Sequence, residues 1–263
     1  MKRLAHSLSW RFIRVWRRDF LVNRDSWHTG FLVPLLEPVL YVAAFGIGFR
    51  ALIADVHYQG QIVSYVRFIA PALLATSIMY NAFFENTYTS FVRMYYQKTF
   101  DAILATPLSL DEVITGEIAW GATKSVFAAA IMLAVLGCFG LIHFPSGLLI
   151  VPLALLGGLG FGALGMVFTG IVRNIDMFNL PIFLFVTPMF LFSGTFFPVD
   201  TLPLWAQRLA LAFPLTHLVN LTRSLSFGAV DVWETVAALA YLVAFTAVCF
   251  PLALALMRRR LIH

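Results

Sequence analysis

The chain has 263 residues, of which 60% are apolar, 15% aromatic and only 12% charged, with a mean hydropathy of +0.86. Soluble domains carry about twice that share of charge, so a water-covered globular enzyme is excluded; high hydropathy excludes disorder, and the absence of periodic Gly excludes collagen. The two cysteines, Cys138 and Cys249, both fall in apolar runs, which supports neither a disulfide framework nor a zinc site. A polytopic membrane protein remains.

Residues 1–26 begin the chain with a predicted interfacial helix, clearest over residues 4–21. At 100° per residue Trp10, Phe12, Ile13, Trp16 and Phe20 fall on one side, and Arg11, Arg14, Arg17 and Arg18 on the other. Aromatic side chains at the acyl boundary with Arg toward anionic headgroups is the pattern of a helix lying on a membrane. Six stretches then have the roughly 20 apolar residues that a spanning helix needs. They are Phe31–Ile53, Arg67–Val92, Asp111–Leu141, Leu148–Val172, Phe178–Phe197 and Trp233–Met257. No strand alternation runs through them, so the expected fold is all-α rather than a barrel. The first stretch follows basic residues as far as Arg24, is too long for a signal peptide and has no small-x-small cleavage site after it.

Orientation follows from Lys and Arg. With the N-terminus inside, Lys2, Arg3, Arg11, Arg14, Arg17, Arg18, Arg24, Arg93, Lys98, Arg173, Arg258, Arg259 and Arg260 are cytoplasmic, most of the 18 basic residues. Both termini are then cytoplasmic. The net charge of +5 is a topology signal and gives no hint of nucleic acid, because the basic residues flank spans instead of forming one groove.

Two connections stand out. The cytoplasmic one reads Lys98-Thr-Phe-Asp-Ala-Ile-Leu-Ala-Thr-Pro107, a short helix stopped at Pro107. Ser109-Leu-Asp-Glu112 follows as a capping box that opens the third span. Phe100, Ile103 and Leu104 give the short helix an apolar side, suited either to its own bundle or to a soluble partner. The outer connection, 198–232, carries Leu204, Trp205, Leu209, Leu211, Phe213, Leu215, Leu218, Val219 and Leu221, cut by Pro198, Pro203 and Pro214 into pieces too short to span. Such pieces suit a re-entrant helical hairpin, or helices lying flat on the outer surface.

Gly160-x-Gly162-x-x-Gly165 matches a dinucleotide fingerprint only formally, since it lies inside a span with no preceding strand. Ala154, Gly158 and Gly162 at four-residue spacing point instead to close helix packing. No Gly-Lys pair occurs, so there is no P-loop; the histidines have no metal-ligand spacing, and no nucleophile–base constellation is found. Charges inside spans are costly and mark candidate sites. Glu37, Glu85 and Lys124 qualify and lie at a similar depth, where a Glu–Lys contact would lower the cost of burial. Asp111, Glu112 and Glu117 read as acids favoured by the macrodipole in the first turns of a helix. Tyr80, Phe84, Tyr88, Phe91 and Tyr95 form a stripe in the second span, suited to packing or to lining a substrate path.

Six spans, the interfacial helix, the short helix ending Leu-Ala-Thr-Pro-Leu-Ser, and Phe197-Pro198-x-Asp200-x-Leu-Pro203-x-Trp205 running to Pro214-Leu-Thr-His217 and Arg223 together resemble the ABC-2 type transporter permeases. The likeness covers the whole chain as one domain, 1–263, and is strongest to the nodulation-factor exporter branch. It implies that residues 98–107 are a coupling helix, with Lys98, Thr99, Phe100, Asp101, Ile103, Leu104 and Thr106 engaging a separate ATPase. It implies that 199–225 form an extracellular gate carrying Phe197, Pro198, Pro203, Trp205, Pro214, His217 and Arg223. It further implies no cofactor in this chain, ATP and Mg in the partner, two ATPase copies, a second, identical permease as a homodimer, and residence in a bacterial inner membrane. The cargo would be a lipo-oligosaccharide, glycolipid or hydrophobic drug. A secondary transporter or channel working without an ATPase is the rival reading, though no inverted repeat is detected. A membrane enzyme acting on lipid-linked substrates is another, and it lacks a titratable cluster at a membrane face other than Asp111, Glu112 and Glu117.

Overall fold

The structure is a computed structural model, and it describes residues 9–25, 27–48, 55–58, 61–229 and 231–261. Among these, five helical segments are long and apolar enough to cross a membrane: Tyr65–Tyr96, Leu110–Cys138, Ser146–Ile171, Ile175–Phe192 and Val232–Leu261. The chain is a multi-pass, all-α membrane protein. In order, the helices are α1 (Phe12–Asp25), α2 (Trp27–Ala43), α3 (Tyr65–Phe84), α4 (Thr99–Leu104), α5 (Leu110–Cys138), α6 (Ile150–Ile171), α7 (Asn179–Pro181), α8 (Thr187–Phe192), α9 (Leu204–Ala212), α10 (Pro214–Phe227) and α11 (Val232–Leu261). The first expected span, Phe31–Ile53, corresponds to α2 and a π segment, Ala44–Gly48, while residues 49–54 lie outside the described residues. Residues 1–8 of the predicted interfacial helix lie outside them as well.

Lipid offers no hydrophobic drive between helices, so close approach of small residues has to hold the bundle. Helix α6 supplies it from the middle, packing against α3, α5 and α11. A Cβ on Gly158 would stand 2.8 Å from the Ala122 Cα of α5, and one on Gly165 2.8 Å from the Phe83 carbonyl oxygen of α3. On the opposite side, a Cβ on Gly160 would meet the Thr246 hydroxyl of α11 at 2.8 Å. The glycines of the formal dinucleotide match therefore serve packing, Gly160 against α11 and both Gly162 and Gly165 against the α3 span around Asn86. Gly121 and Gly162 leave room for the fully buried Asn86 carboxamide, whose amide donates to the Ala82 carbonyl at 3.0 Å.

Helix α5 starts where its cap dictates. The Ser109 hydroxyl accepts from the Glu112 amide at 3.3 Å, and the Ser109 amide donates to the Glu112 carboxylate at 2.7 Å, a reciprocal pair that satisfies two orphan donors.

Two features depart from the sequence reading. A small antiparallel hairpin, β1 (Asp55–Tyr58) with β2 (Gln61–Ser64), pairs Asp55 with Ser64 and Val56 with Val63; the β-branched residues in this short polar connection were its only signal. Helix α1 is not solely a lipid-facing element either. Val15 and Asp19 are buried, whereas Trp10 and Ile13, expected on the apolar side, are exposed. The reason is contact with α5: a Cβ on Gly116 would meet the Val15 side chain at 2.6 Å, Trp16 Nε1 donates to the Thr123 hydroxyl at 2.9 Å, and the Phe20 and Trp120 rings meet edge to face.

Gly158→Val tests the packing. It should destabilise the protein in detergent by about 1–3 kcal/mol through the clash with the Ala122 backbone, read as a lower unfolding temperature. Gly140→Ala, at a site with no heavy atom within 4 Å of the added Cβ, separates crowding from the loss of a positive-φ glycine.

Candidate functional site

The interior holds a cluster of ionised side chains from three elements. Beyond Phe84, α3 continues through two π segments, Glu85–Thr89 and Val92–Tyr96. In a regular helix Arg93 would sit about 80° around from Glu85, and one inserted residue turns it back by about 100°. Arg93 is 9% exposed. Its Nη2 lies 2.9 Å from Glu85 Oε1 and 2.6 Å from Glu117 Oε2 of α5, and its Nε donates to the same Glu117 oxygen at 3.0 Å. Ser90 adds a 2.5 Å donation to Glu117 Oε2. Lys124, also on α5, donates to Glu85 Oε2 at 2.8 Å, with its side chain 30% exposed.

Helix α1 brings a third acid to this group. Asp19 is 2% exposed and pairs with Arg18 at 2.7 Å. Burial, reinforced by Glu117, pushes its carboxyl up to about 7, with Arg93 and Arg18 opposing and Glu85 adding to the rise. Asp19 Oδ2 and Glu117 Oε1 are both buried without a hydrogen-bond partner.

The structure thus joins Glu85 to Lys124 but leaves Glu37 apart, accepting from the Tyr41 hydroxyl at 3.1 Å and from Ser77 at 3.4 Å. The stripe residues stack in a column: Tyr80 on Phe84 at 5.4 Å, Phe84 on Tyr88 at 5.9 Å, and Tyr88 on Phe178 at 5.1 Å. Tyr80 also meets Phe190 of α8 at 5.9 Å. The three stripe members Tyr80, Phe84 and Tyr88 are half-buried, so the column is partly open along one side.

Helix α4 follows directly from this region and covers Thr99–Leu104, shorter than residues 98–107. Lys98 precedes it in a left-handed conformation, φ 54°, and its Nζ lies 5.4 Å from the Tyr95 ring centroid. Phe100 is 0% exposed and belongs to the chain's own core, which corrects the expectation that it reaches a partner; Ile103 and Leu104 also pack on that core. Asp101, Ala102, Ala105 and Thr106 are exposed, and the Thr106 hydroxyl donates to the Ile103 carbonyl at 2.6 Å.

At the other end of the bundle, α9 and α10 occupy the segment expected as a hairpin. Pro214 begins α10 in the first turn, where its missing N–H costs nothing, and Gly228 ends it at φ 71°. Arg223 is buried with no carboxylate in reach among the described residues. It donates to the Gly194 carbonyl at 2.9 Å and the Phe68 carbonyl at 3.3 Å, and lies 3.9 Å from the Phe68 ring centroid and 5.1 Å from that of Tyr58. It therefore ties α10 to α3, to β1 and to the loop after α8. His217 stacks on Tyr241 of α11 at 4.0 Å, with Nε2 3.0 Å from the Leu211 carbonyl. Pro203 and Trp205 are exposed, Trp205 touching Phe192 at 6.1 Å; Phe197 is exposed and Pro198 half-buried.

The model of the ABC-2 type transporter family matches residues 11–227, a stretch that contains the charge cluster, α4, α9 and α10. The chain belongs to the ABC-2 type transporter family. It is 38% identical over 98% of its length to Nodulation protein J of Rhizobium leguminosarum bv. trifolii, covering 95% of that protein. To Nodulation protein J of Rhizobium meliloti (strain 1021) it is 34% identical, over 96% of this chain and 94% of the relative. To the Inner membrane transport permease YadH of Escherichia coli (strain K12) it is 24% identical, over 90% and 92%. It is a membrane transporter subunit.

For this ABC-2 protein, two sequence assignments need correction. Arg93 is not a solvated topology charge, and Glu117 is not a helix-end acid; each is buried against the other. Glu117 lies two turns into α5, beyond the reach of the macrodipole, and that offset was the available signal. Asp19 was hidden among the arginines of α1.

Removing one partner of a buried pair strands the other, so Glu117→Leu should cost about 3 kcal/mol of stability. Glu37→Gln, outside the ion pairs, should cost less than about 1 kcal/mol; equal losses in a thermal unfolding assay would contradict the cluster. A second prediction concerns pH. Because Asp19 holds its proton more tightly when folded, stability should fall as pH rises from about 4 to about 7 and level off above. Arg18, Glu117, Arg93 and Glu85 face it, and Asp19→Asn should flatten the unfolding temperature over that range.

Proposed function

We propose that the chain is the permease of an ATP-driven exporter, moving an amphipathic cargo across the inner membrane with energy from a separate ATPase. On this reading residues 27–48 supply a sixth crossing, α1 lies along the cytoplasmic interface, and both termini are cytoplasmic. Two copies pair about a two-fold axis with two ATPase subunits, which bind ATP and Mg. This chain holds no nucleotide and is not itself an enzyme.

The observation that carries the proposal is the construction of α4. Phe100 is seated in the core while Asp101, Ala102, Ala105 and Thr106 face outward. The helix follows within a few residues of Arg93, the centre of the buried charges. A soluble motor gripping the outer face of α4 would pull through Phe100 on the end of the α3 span. Shifts of that span against α5 would re-space Arg93 from Glu117, and packed interiors respond to such shifts in discrete steps. ATP-driven closure of the ATPase pair would thereby open the permease interface outward, with α9 and α10 as the extracellular gate.

The half-buried column of Tyr80, Phe84 and Tyr88 supports an amphipathic cargo, since aromatic faces accept both acyl chains and sugar rings. The resemblance to nodulation-factor exporters narrows that class to a lipo-oligosaccharide, a glycolipid or a hydrophobic drug.

The test separates grip from anchor. In vesicles containing the chain and its ATPase, Asp101→Arg should reduce the stimulation of ATP hydrolysis about tenfold, the equivalent of roughly 1.4 kcal/mol of lost coupling, with an unchanged unfolding temperature. Phe100→Ala should lower that temperature, at a cost of about 3–5 kcal/mol. Full stimulation with Asp101→Arg would contradict the docking assignment.

A further inference from the structure

The inner ends of α6 and α11 border an open cavity of about 410 Å³ lined by Gly170, Ile171, Arg173, Leu256, Arg259 and Arg260. Three of its six lining residues are arginines and none is acidic. Their neighbours do not neutralise them. Arg258, one residue away, takes Asp111 as its partner and faces elsewhere. Arg173, Arg259 and Arg260 have no carboxylate partner among the described residues.

Arg260 is also held in place. Its Nη1 donates to the carbonyls of Thr169 and Val172 at the end of α6, and its guanidinium lies 5.3 Å from the Phe91 ring centroid. A charge serving topology alone would extend into water. This one is folded back onto the helix end, at the rim of an open cavity, with two exposed arginines beside it. The apolar wall continues away from them: Ile171 is 57% exposed, and Leu252, one turn along α11 from Leu256, is exposed as well.

We propose that this cavity binds a phosphate group, supplied by an anionic lipid whose acyl chain lies along the exposed face of α11. Guanidinium groups match phosphate oxygens in fork geometry, and basic pockets between membrane helices recognise such headgroups. An inorganic phosphate ion shares the chemistry but makes no use of the apolar wall. The site rests on the reading that this end of the bundle lies at the cytoplasmic face, and it does not depend on the export assignment.

Native mass spectrometry of the purified full chain in detergent tests it, with phosphatidylglycerol and phosphatidylcholine as probes. The wild type should retain phosphatidylglycerol selectively. Arg173→Ala/Arg259→Ala should weaken retention about thirtyfold, at about a factor of five per arginine, with the helical circular dichroism unchanged. Arg208→Glu lowers the charge by the same two units at an exposed position of α9 and should leave retention intact; an equal loss would assign binding to surface charge in general and overturn the proposal. Displacement of the lipid by an equal concentration of inorganic phosphate would overturn the lipid as the source, and equal retention of phosphatidylcholine would overturn the site. Because ATP and the ATPase are absent from the assay, failure here leaves the exporter reading untouched.

Discussion

The constraint on which the rest of the structure depends is the burial of Arg93 between Glu85 and Glu117. A guanidinium and two carboxylates inside an apolar bundle are tolerable only while each faces the others, because the desolvation of any one alone costs several kcal/mol. That requirement fixes the rotation of the α3 span and its register on α5, with Lys124 and Ser90 completing the hydrogen bonds. The π segments that carry Glu85 and Arg93 follow from the same need, since irregular turns persist in helices where a specific side-chain arrangement compensates for them. Asp19 brings α1 up against the same group, but its ion pair is to Arg18 of its own helix, and α1 is held to the bundle by the packing of Val15 and the hydrogen bond of Trp16.

The two ends of the molecule use different chemistry for the same task. At the end near α4, opposite charges pair directly. At the end near α9 and α10, Arg223 is received by carbonyl dipoles and by the faces of Phe68 and Tyr58. Carbonyl and aromatic partners are individually weaker than a carboxylate. The outer helices, the hairpin and the loop after α8 are therefore joined through one side chain by contacts that are easier to exchange. Under the proposed function, a firm joint near α4 and an exchangeable one near α9 and α10 suit a protein that receives force at one end and yields at the other.

Length and hydropathy were enough to place five of the six expected spans, and Ser109 with Glu112 fixed the start of α5 to the residue. Glu85 and Lys124 were recognisable as partners because intramembrane charges are few and their depths agree. Arg93 and Glu117 were illegible because each lies near a span end, where a charge is usually solvated, and Asp19 because it sits among the arginines of α1; only the packing of α1 and α5 reveals that they are buried. Phe100 misled in the opposite sense. An apolar side on a short loop helix reads equally as a partner surface or as an anchor, and burial alone decides between them. The hairpin at 55–64 carried too little alternation to register against the neighbouring helices. The two long-range roles of Arg223 and Arg260 required knowing which carbonyls lie beside them.

Family membership and the construction of α4 support the proposal that the chain is a gate powered by a separate motor. The most direct measurement is transport of a fluorescent lipo-oligosaccharide against its gradient in sealed vesicles, with the purified chain alone and then with its ATPase. The account predicts movement only when the ATPase and ATP are both present. Uphill movement by the chain alone would contradict it.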